Sequence, residues 1–485
     1  MDIKPDSTLS QLPELIDPTH GSEIDLVAEK KVVRKLDTWL APLMALFVLV
    51  AYLDRSAIGN AAIAGMSEDL DLTGDRLNVA VTVFYVTYIA FGIPTSLCLK
   101  VARPSRLIPL LIIAWSAVVI GSAFVTNYAG LIATRLLLGA FESGLLPCLT
   151  IYISTFYRRE EQARRISYLF VSAALSGAFG GLLAYGLTSI HGTRGLAGWR
   201  WLFLIEGAIS MVVSIAAGLV LPDTFETAKW LSEDDKALLR ARAENARIYH
   251  DSSNGFDKYQ ARLAFTDPKV WLFSGCQFFS NTCSFAFGTF LPVIIKGFGY
   301  SSVETQLLTV PVYIWASILY ITTSYLSDRK ARRAVFMIPM ALITATGYAL
   351  LLDISMDSPG ALYFATFVTA TGIYSIVGLN EAWVSNSNAG YHKRAAAIGM
   401  QQTIGNSSGI MAGQIYRLTA ADGRYTIGHS VSIGAVLTAA IGYATLYVVL
   451  RQINRNRDGM SVEERARAID AGMDGDRHPD FRYVL

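Results

Sequence analysis

Arg135 and Glu142 stand seven residues apart in a run of otherwise apolar and small residues. Two helical turns cover about 7.2 residues, so on a helix both side chains leave from one stripe. The arginine favours an ionised carboxylate beside it, whereas burial disfavours one. A carboxylate held between these effects can bind and release a proton as the site is exposed to one solution and then another. The same two residues could instead form a structural ion pair that locks the helix to a neighbour. Asp54 and Arg55 are adjacent. Side chains one residue apart on a helix diverge by about 100°, so the two cannot share one cavity centre. Arg55 is expected to face a solute pathway and Asp54 to pair with a neighbouring helix, where it is a further candidate for proton coupling. The guanidinium fork grips carboxylates bidentately, which points to an anionic solute. Packing of both residues between helices is the competing expectation.

Other polar residues interrupt apolar runs. They are Glu206, Glu381, the pair Gln277 and Asn281 four residues apart, and the series Gln401, Gln402, Asn406, Ser407 and Ser408. Gln277, Asn281 and Asn406 could hydrogen-bond a solute or a neighbouring helix. Asn406 opens an Asn-Ser-Ser sequon, but mid-membrane burial argues against a glycan there. Lys296 and Arg417 fall near the ends of apolar blocks, where long cationic side chains snorkel. Ser176-Gly177-Ala178-Phe179-Gly180-Gly181, with Gly186 beyond, has the small-residue spacing that lets helices approach closely. Cys98, Cys148, Cys276 and Cys283 lie in apolar blocks without metal-ligand spacing and behave as small hydrophobes. No metal, cofactor, or nucleophile with a base is implied.

The elements that must hold these residues are apolar blocks. The chain has 485 residues, 52% hydrophobic and 16% charged, against about 25% charged in soluble domains. Its mean hydropathy is +0.38. Six blocks of spanning length fall near 39–62, 77–100, 106–126, 129–155, 165–190 and 201–221. Six more fall near 270–295, 306–327, 334–352, 361–386, 395–418 and 430–450. The pattern predicts an all-α polytopic membrane protein of twelve transmembrane helices in two pseudo-symmetric bundles, with a polar tail at 1–36, bundles at 37–221 and 269–451, a middle loop at 222–268 and a tail at 452–485. Ser232-Glu233-Asp234-Asp235 in the middle loop reads as the N-cap and first turn of a surface helix. The N-terminal stretch lacks the apolar core of a cleavable signal peptide. Basic residues collect in alternate connections: Lys30, Lys31, Arg34 and Lys35; Lys100, Arg103 and Arg106; Arg158, Arg159, Arg164 and Arg165; Arg329, Lys330, Arg332 and Arg333; Lys393 and Arg394. That asymmetry places both termini in the cytoplasm. A net charge of +2 gives no reason to expect a nucleic-acid partner.

The chain resembles the fungal anion:cation symporters of the major facilitator superfamily, the allantoate permease group. The resemblance rests on Tyr52-Leu53-Asp54-Arg55 with Ile58-Gly59-Asn60-Ala61, and on Arg135 through Gly139 to Glu142 and Gly144 with Pro147. It continues in Gly198-Trp199-Arg200-Trp201 to Glu206-Gly207, Leu221-Pro222-Asp223, Phe290-Leu291-Pro292, Ser327-Asp328-Arg329, Trp383 with Asn386, Gly405-Asn406, and Tyr425 to Gly428-His429. These runs span residues 36–450 in order. The resemblance implies a monomeric transporter, in the plasma membrane, that carries a small organic anion with protons. Members carry nicotinate, pantothenate, biotin, allantoate and related acids. It further implies anion binding by Arg55, proton coupling through Glu142 and Arg135, a cavity lined by helices 1, 4, 7 and 10, and gating by Asp328 and Arg329. There are departures. Gly92-Ile93-Pro94-Thr95-Ser96 stands where the group has Glu-Ile-Pro-Ser-Asn, and the seventh block has no arginine, unlike the related animal carriers. Proton-driven export of a secondary metabolite is the alternative function. A ligand-binding nutrient sensor is a more distant one.

Overall fold

A computed structural model describes residues 26–98, 102–157, 159–188, 192, 195–248, 258–389, 391–416, 424–470 and 475–485. Arg417 and the first 25 residues lie outside the described residues. The secondary structure assigned to the described residues is helical throughout. The first half contains α1 (Leu26–Ala61), α2 (Arg76–Cys98), α3 (Pro104–Ser122), α4 (Tyr128–Glu142), α5 (Leu145–Phe156), α6 (Arg159–Thr188) and α7 (Gly198–Val220). The middle segment forms α8 (Glu233–Ile248) and α9 (Lys258–Thr266). The second half contains α10 (Pro268–Gly297), α11 (Ser302–Lys330), α12 (Ala334–Asp353), α13 (Pro359–Ser387), α14 (Tyr391–Ile415) and α15 (Thr426–Asp458), and α16 (Val462–Asp470) follows.

Among the described residues, nine helices are long and apolar enough to cross a membrane; Arg76–Gly92 and Val171–Leu187 are shorter apolar helices. α14 has spanning length, but Gln401, Gln402, Asn406, Ser407 and Ser408 make it too polar to stand among the nine. The fourth apolar block is two consecutive helices, α4 and α5, separated at Ser143-Gly144. Residue 36 lies inside α1, which starts ten residues earlier at Leu26. The chain continues beyond α1 through Ala62–Met66, where Gly65, at φ 106°, kinks it.

One end of the molecule carries the described basic connections, α8, the start of α1 and the C-terminal residues. α8 begins as its sequence requires: Asp235 N–H donates to Ser232 Oγ and Ser232 N–H to Asp235 Oδ2, both at 3.2 Å. Lys35 holds Asp235 at 2.5 Å, Arg242 bonds Glu161 at 2.8 Å, and Arg165 grips Asp37 with two bonds of 2.9 and 2.7 Å. The Lys35 and Arg242 bonds tie the middle segment to the first half, and the Arg165 pair joins α6 to α1 within it.

The hydrogen bonds described between the halves all lie at the opposite end. Asn78 Nδ2 donates to the carbonyls of Gly413 and Tyr416 at 2.7 Å each, Gln414 donates to Thr82 at 2.6 Å, and Lys296 donates to the Ile63 carbonyl at 3.3 Å. Two glycines of α6, Gly177 and Gly181, also face the other half. A Cβ on Gly177 would come within 2.6 Å of the Tyr313 ring, and one on Gly181 within 2.8 Å of the Gln306 carbonyl oxygen. Gly186 faces open space instead. The two halves therefore close against each other at this end through surfaces that admit no side chain.

The C-terminal residues fold back over the basic end of the second half. Lys393 Nζ bonds Asp476 Oδ1 and Asp267 Oδ2 at 2.7 Å each, with both Lys393 and Asp476 buried. Lys269 joins them at 3.2 Å, Arg457 donates to the Asp476 carbonyl at 2.7 Å, and Trp383 Nε1 donates to the Val484 carbonyl at 2.8 Å. Burial by itself raises the Asp476 carboxyl, but the Lys393 hydrogen bond and the charges of Lys269 and Lys393 outweigh it and hold the group below its ordinary value of 3.8. A depressed folded value means the contribution is complete above the ordinary value and fades as pH falls through the folded one. Breaking a buried pair of this kind costs about 3 kcal/mol or more. Asp476→Asn is therefore expected to expose residues 475–485 to protease at neutral pH, whereas the unaltered protein stays protected until strongly acidic pH. Equal cleavage of the two proteins at pH 7 would show that the pair does not hold the tail.

Candidate functional site

Arg55 lies on the buried face of α1. Its guanidinium sits among Tyr52, Tyr88, Phe84 and Tyr85, with ring centroids 4.6, 4.9, 5.1 and 5.9 Å from Cζ. Aromatic faces attract a desolvated cation, so this cage compensates part of the cost of its burial. One edge of the fork, Nε and Nη2, donates to Glu142 Oε1 on α4, with Nε at 3.1 Å. The third nitrogen, Nη1, is buried without a hydrogen-bond partner. Arg55 also lines a cavity between the halves, together with Ser284, Phe285 and Tyr374.

Arg135 and Glu142 are both buried on one stripe of α4, yet they do not bond each other. Seven residues span about 10.5 Å along a helix axis, too far for direct contact between parallel side chains. Arg55 takes the place beside Glu142 that the sequence spacing assigns to Arg135. Arg135 lies instead over the Phe203 ring at 5.4 Å, within the electrostatic reach of Asp54, Glu142 and Glu206. No hydrogen bond reaches it among the described residues, and its Nε is buried and unpartnered.

Asp54 points away from Arg55, toward α3 and α7. Its Oδ2 accepts from Trp115 Nε1 at 3.1 Å and Ser210 Oγ at 3.0 Å. Both oxygens of Glu206 are buried with no hydrogen-bond partner. Three carboxyls, Asp54, Glu142 and Glu206, thus share one buried region with two guanidiniums, Arg55 and Arg135. The region is one cation short of balance, and an extra proton can supply the missing charge. Glu206 belongs to this cluster although sequence spacing gives it no partner: α7 brings it beside α4 only in the packed bundle. The signal available in the sequence was a lone acid in an apolar block.

The second half supplies amides and one acid. Asn281, Glu381, Gln402 and Asn406 line the neighbouring part of the cavity, which shares Tyr52, Phe285 and Tyr374 with the part lined by Arg55. Gln402 Nε2 donates to Glu381 Oε1 at 2.8 Å, and Asn406 donates to Gln402 at 3.4 Å. Gln277 is fully buried behind this wall. It donates to Asn281 at 3.2 Å and Glu381 at 3.3 Å, and accepts from Asn380 at 2.6 Å.

Asp328 lies at the basic end of α11 and pairs with Arg333 at 2.5 Å. Arg333 also bonds Ser327 Oγ at 3.2 Å. Arg329 is exposed. The partner of Asp328 is therefore the arginine five residues on, because the left-handed turn at Ala331 brings Arg333 back over the helix end.

Residues 44–413 match the Major Facilitator Superfamily. The chain is 43% identical over 468 residues to an uncharacterized transporter of Schizosaccharomyces pombe, covering 96% of this chain and 92% of that one. It is 32% identical over 462 residues to the high-affinity nicotinic acid transporter of Saccharomyces cerevisiae, covering 94% and 85%. The crystal structure of a D-xylose-proton symporter superposes with a TM-score of 0.64 at 14% identity, covering 83% and 97%, which shows a shared fold. Helical architecture, buried charges around a central cavity and these matches agree: the chain is a transporter of the Major Facilitator Superfamily, not an enzyme.

Proposed function

We propose that the protein carries a small organic anion together with protons, as an anion:cation symporter of the allantoate permease group. The observation that supports this most is Arg55. Its fork spends one edge on Glu142 and leaves Nη1 buried, unpartnered and beside the cavity. A buried N–H of a charged group without an acceptor is costly, and a carboxylate placed there would satisfy it. Similarity to a nicotinic acid transporter is in keeping with a carboxylate cargo. Positive loop charge puts the basic end, with both termini, in the cytoplasm. The end closed by Asn78, Gln414 and Lys296 is then the outer one.

Coupling follows from the shared arginine. Glu142, deprotonated, holds Arg55. When Glu142 takes a proton from the outer solution, its hold weakens and the fork is released to the anion. Arg135, Asp54 and Glu206 sit behind it as the reservoir that keeps the buried charge near balance. Asn281 and Asn406 contact the cargo, and Gln277 positions Asn281. Asp328, with Arg333 and Arg329, controls the cytoplasmic end.

The test is uptake of radiolabelled organic acids into proteoliposomes with an imposed pH gradient. Accumulation driven by an inward proton gradient, abolished by a protonophore, is the expected result. Faster loss of a preloaded acid under that gradient would mean export instead.

A further inference from the structure

We infer that the transported acid is a planar ring compound bearing a hydrogen-bond-donating nitrogen opposite its carboxylate, and that Glu381 receives that nitrogen. This rests on Arg55 as the carboxylate site.

Glu381 is held from behind. Both of its described hydrogen bonds, from Gln402 at 2.8 Å and Gln277 at 3.3 Å, fall on Oε1. Oε2 has no described partner, and the residue is half-buried at the cavity wall. Two fixed amides therefore present one carboxyl oxygen to the cavity as an acceptor. Arg55, from the other half of the molecule, faces the adjoining space. The two parts share the rings of Tyr52, Phe285 and Tyr374. A cargo lying between them meets a cation at one end, aromatic faces along its length and a carboxyl at the other.

Each feature restricts the cargo. Aromatic walls favour a flat ring. A purely apolar ring end would desolvate Glu381 without replacing its hydrogen bonds to water. A second carboxylate would place like charge against it. An N–H donor satisfies Oε2 and completes the site. The two ends belong to different halves, so only a cargo with both groups bridges them.

The experiment compares radiolabelled 4-aminobenzoate with benzoate, which differ by one amino group, and with terephthalate, which puts a second carboxylate in its place. In proteoliposomes of the full chain, 4-aminobenzoate is expected to show a KM at least about tenfold below that of benzoate, and terephthalate to be poorly carried. Glu381→Gln should bring the first two within about threefold of each other while both still require Arg55. The wild-type comparison needs no variant, so it stands even if Glu381→Gln does not fold. Equal KM for benzoate and 4-aminobenzoate in the wild type overturns the inference. So does an equal loss of both acids in Glu381→Gln, or a lower KM for any nitrogen-free acid. In each of those cases dependence on Arg55 leaves the anion reading intact. If no organic acid is carried by the wild type, the anion reading itself fails and the inference falls with it.

Discussion

Replacing Arg55 by alanine is expected to reduce transport of any acid cargo at least about 100-fold, with the protein still reaching the membrane. Two losses add. The cargo loses a charge-assisted bidentate partner, worth about 1.5–3 kcal/mol for each hydrogen bond. Glu142 also loses the donors that now meet its Oε1, and an orphaned buried charge costs about 3–5 kcal/mol. Arg55→Lys separates the two. It restores a counter-charge for Glu142 but offers no planar fork with one edge for Glu142 and another nitrogen for the cargo. Lysine should therefore recover stability, yet leave KM raised at least about tenfold. Initial uptake rates against concentration, corrected for surface amount, give both values. An alanine variant with unchanged KM would remove Arg55 from the binding site.

Replacing Glu142 by glutamine should abolish gradient-driven accumulation while preserving exchange of labelled for unlabelled cargo. Glutamine imitates the protonated carboxyl in shape but cannot exchange a proton. One pH unit supplies about 1.4 kcal/mol per proton, or about tenfold accumulation for one proton per charge-balanced cycle. The variant should hold that ratio near one at every gradient. Because the structure joins Glu142 to Arg55 rather than to Arg135, the variant should also bind cargo at alkaline pH at least as well as the wild type. An Arg135 partner would predict no such change. Continued accumulation in proportion to the gradient would move the coupling to Asp54, Glu206 or Glu381. Arg135→Ala should impair the protein more broadly, since it leaves three buried carboxyls facing only Arg55.

The sequence alone was enough for the all-helical membrane fold, because bilayer thickness and backbone hydrogen bonding leave few ways to arrange apolar blocks of this length. It also determined which residues cannot be ordinary: Asp54, Arg55, Arg135, Glu142, Glu206 and Glu381 are charges in apolar blocks, and the cost of burial marks each one. Helical geometry further assigned faces, setting Asp54 against Arg55 and placing Arg135 and Glu142 on one stripe. What it could not assign was partners. Periodicity constrains direction around a helix but says nothing of which helix stands opposite. The Arg55–Glu142 pair joins residues 87 positions apart, and Trp115 and Ser210 reach Asp54 from two further helices. The Lys393–Asp476 pair joins the first turn of α14 to the C-terminal residues. Only bundle packing decides such pairs. A buried charge must find whatever opposite charge or donor the neighbouring helices bring within reach, and that neighbour is fixed by the tertiary fold rather than by spacing along the chain.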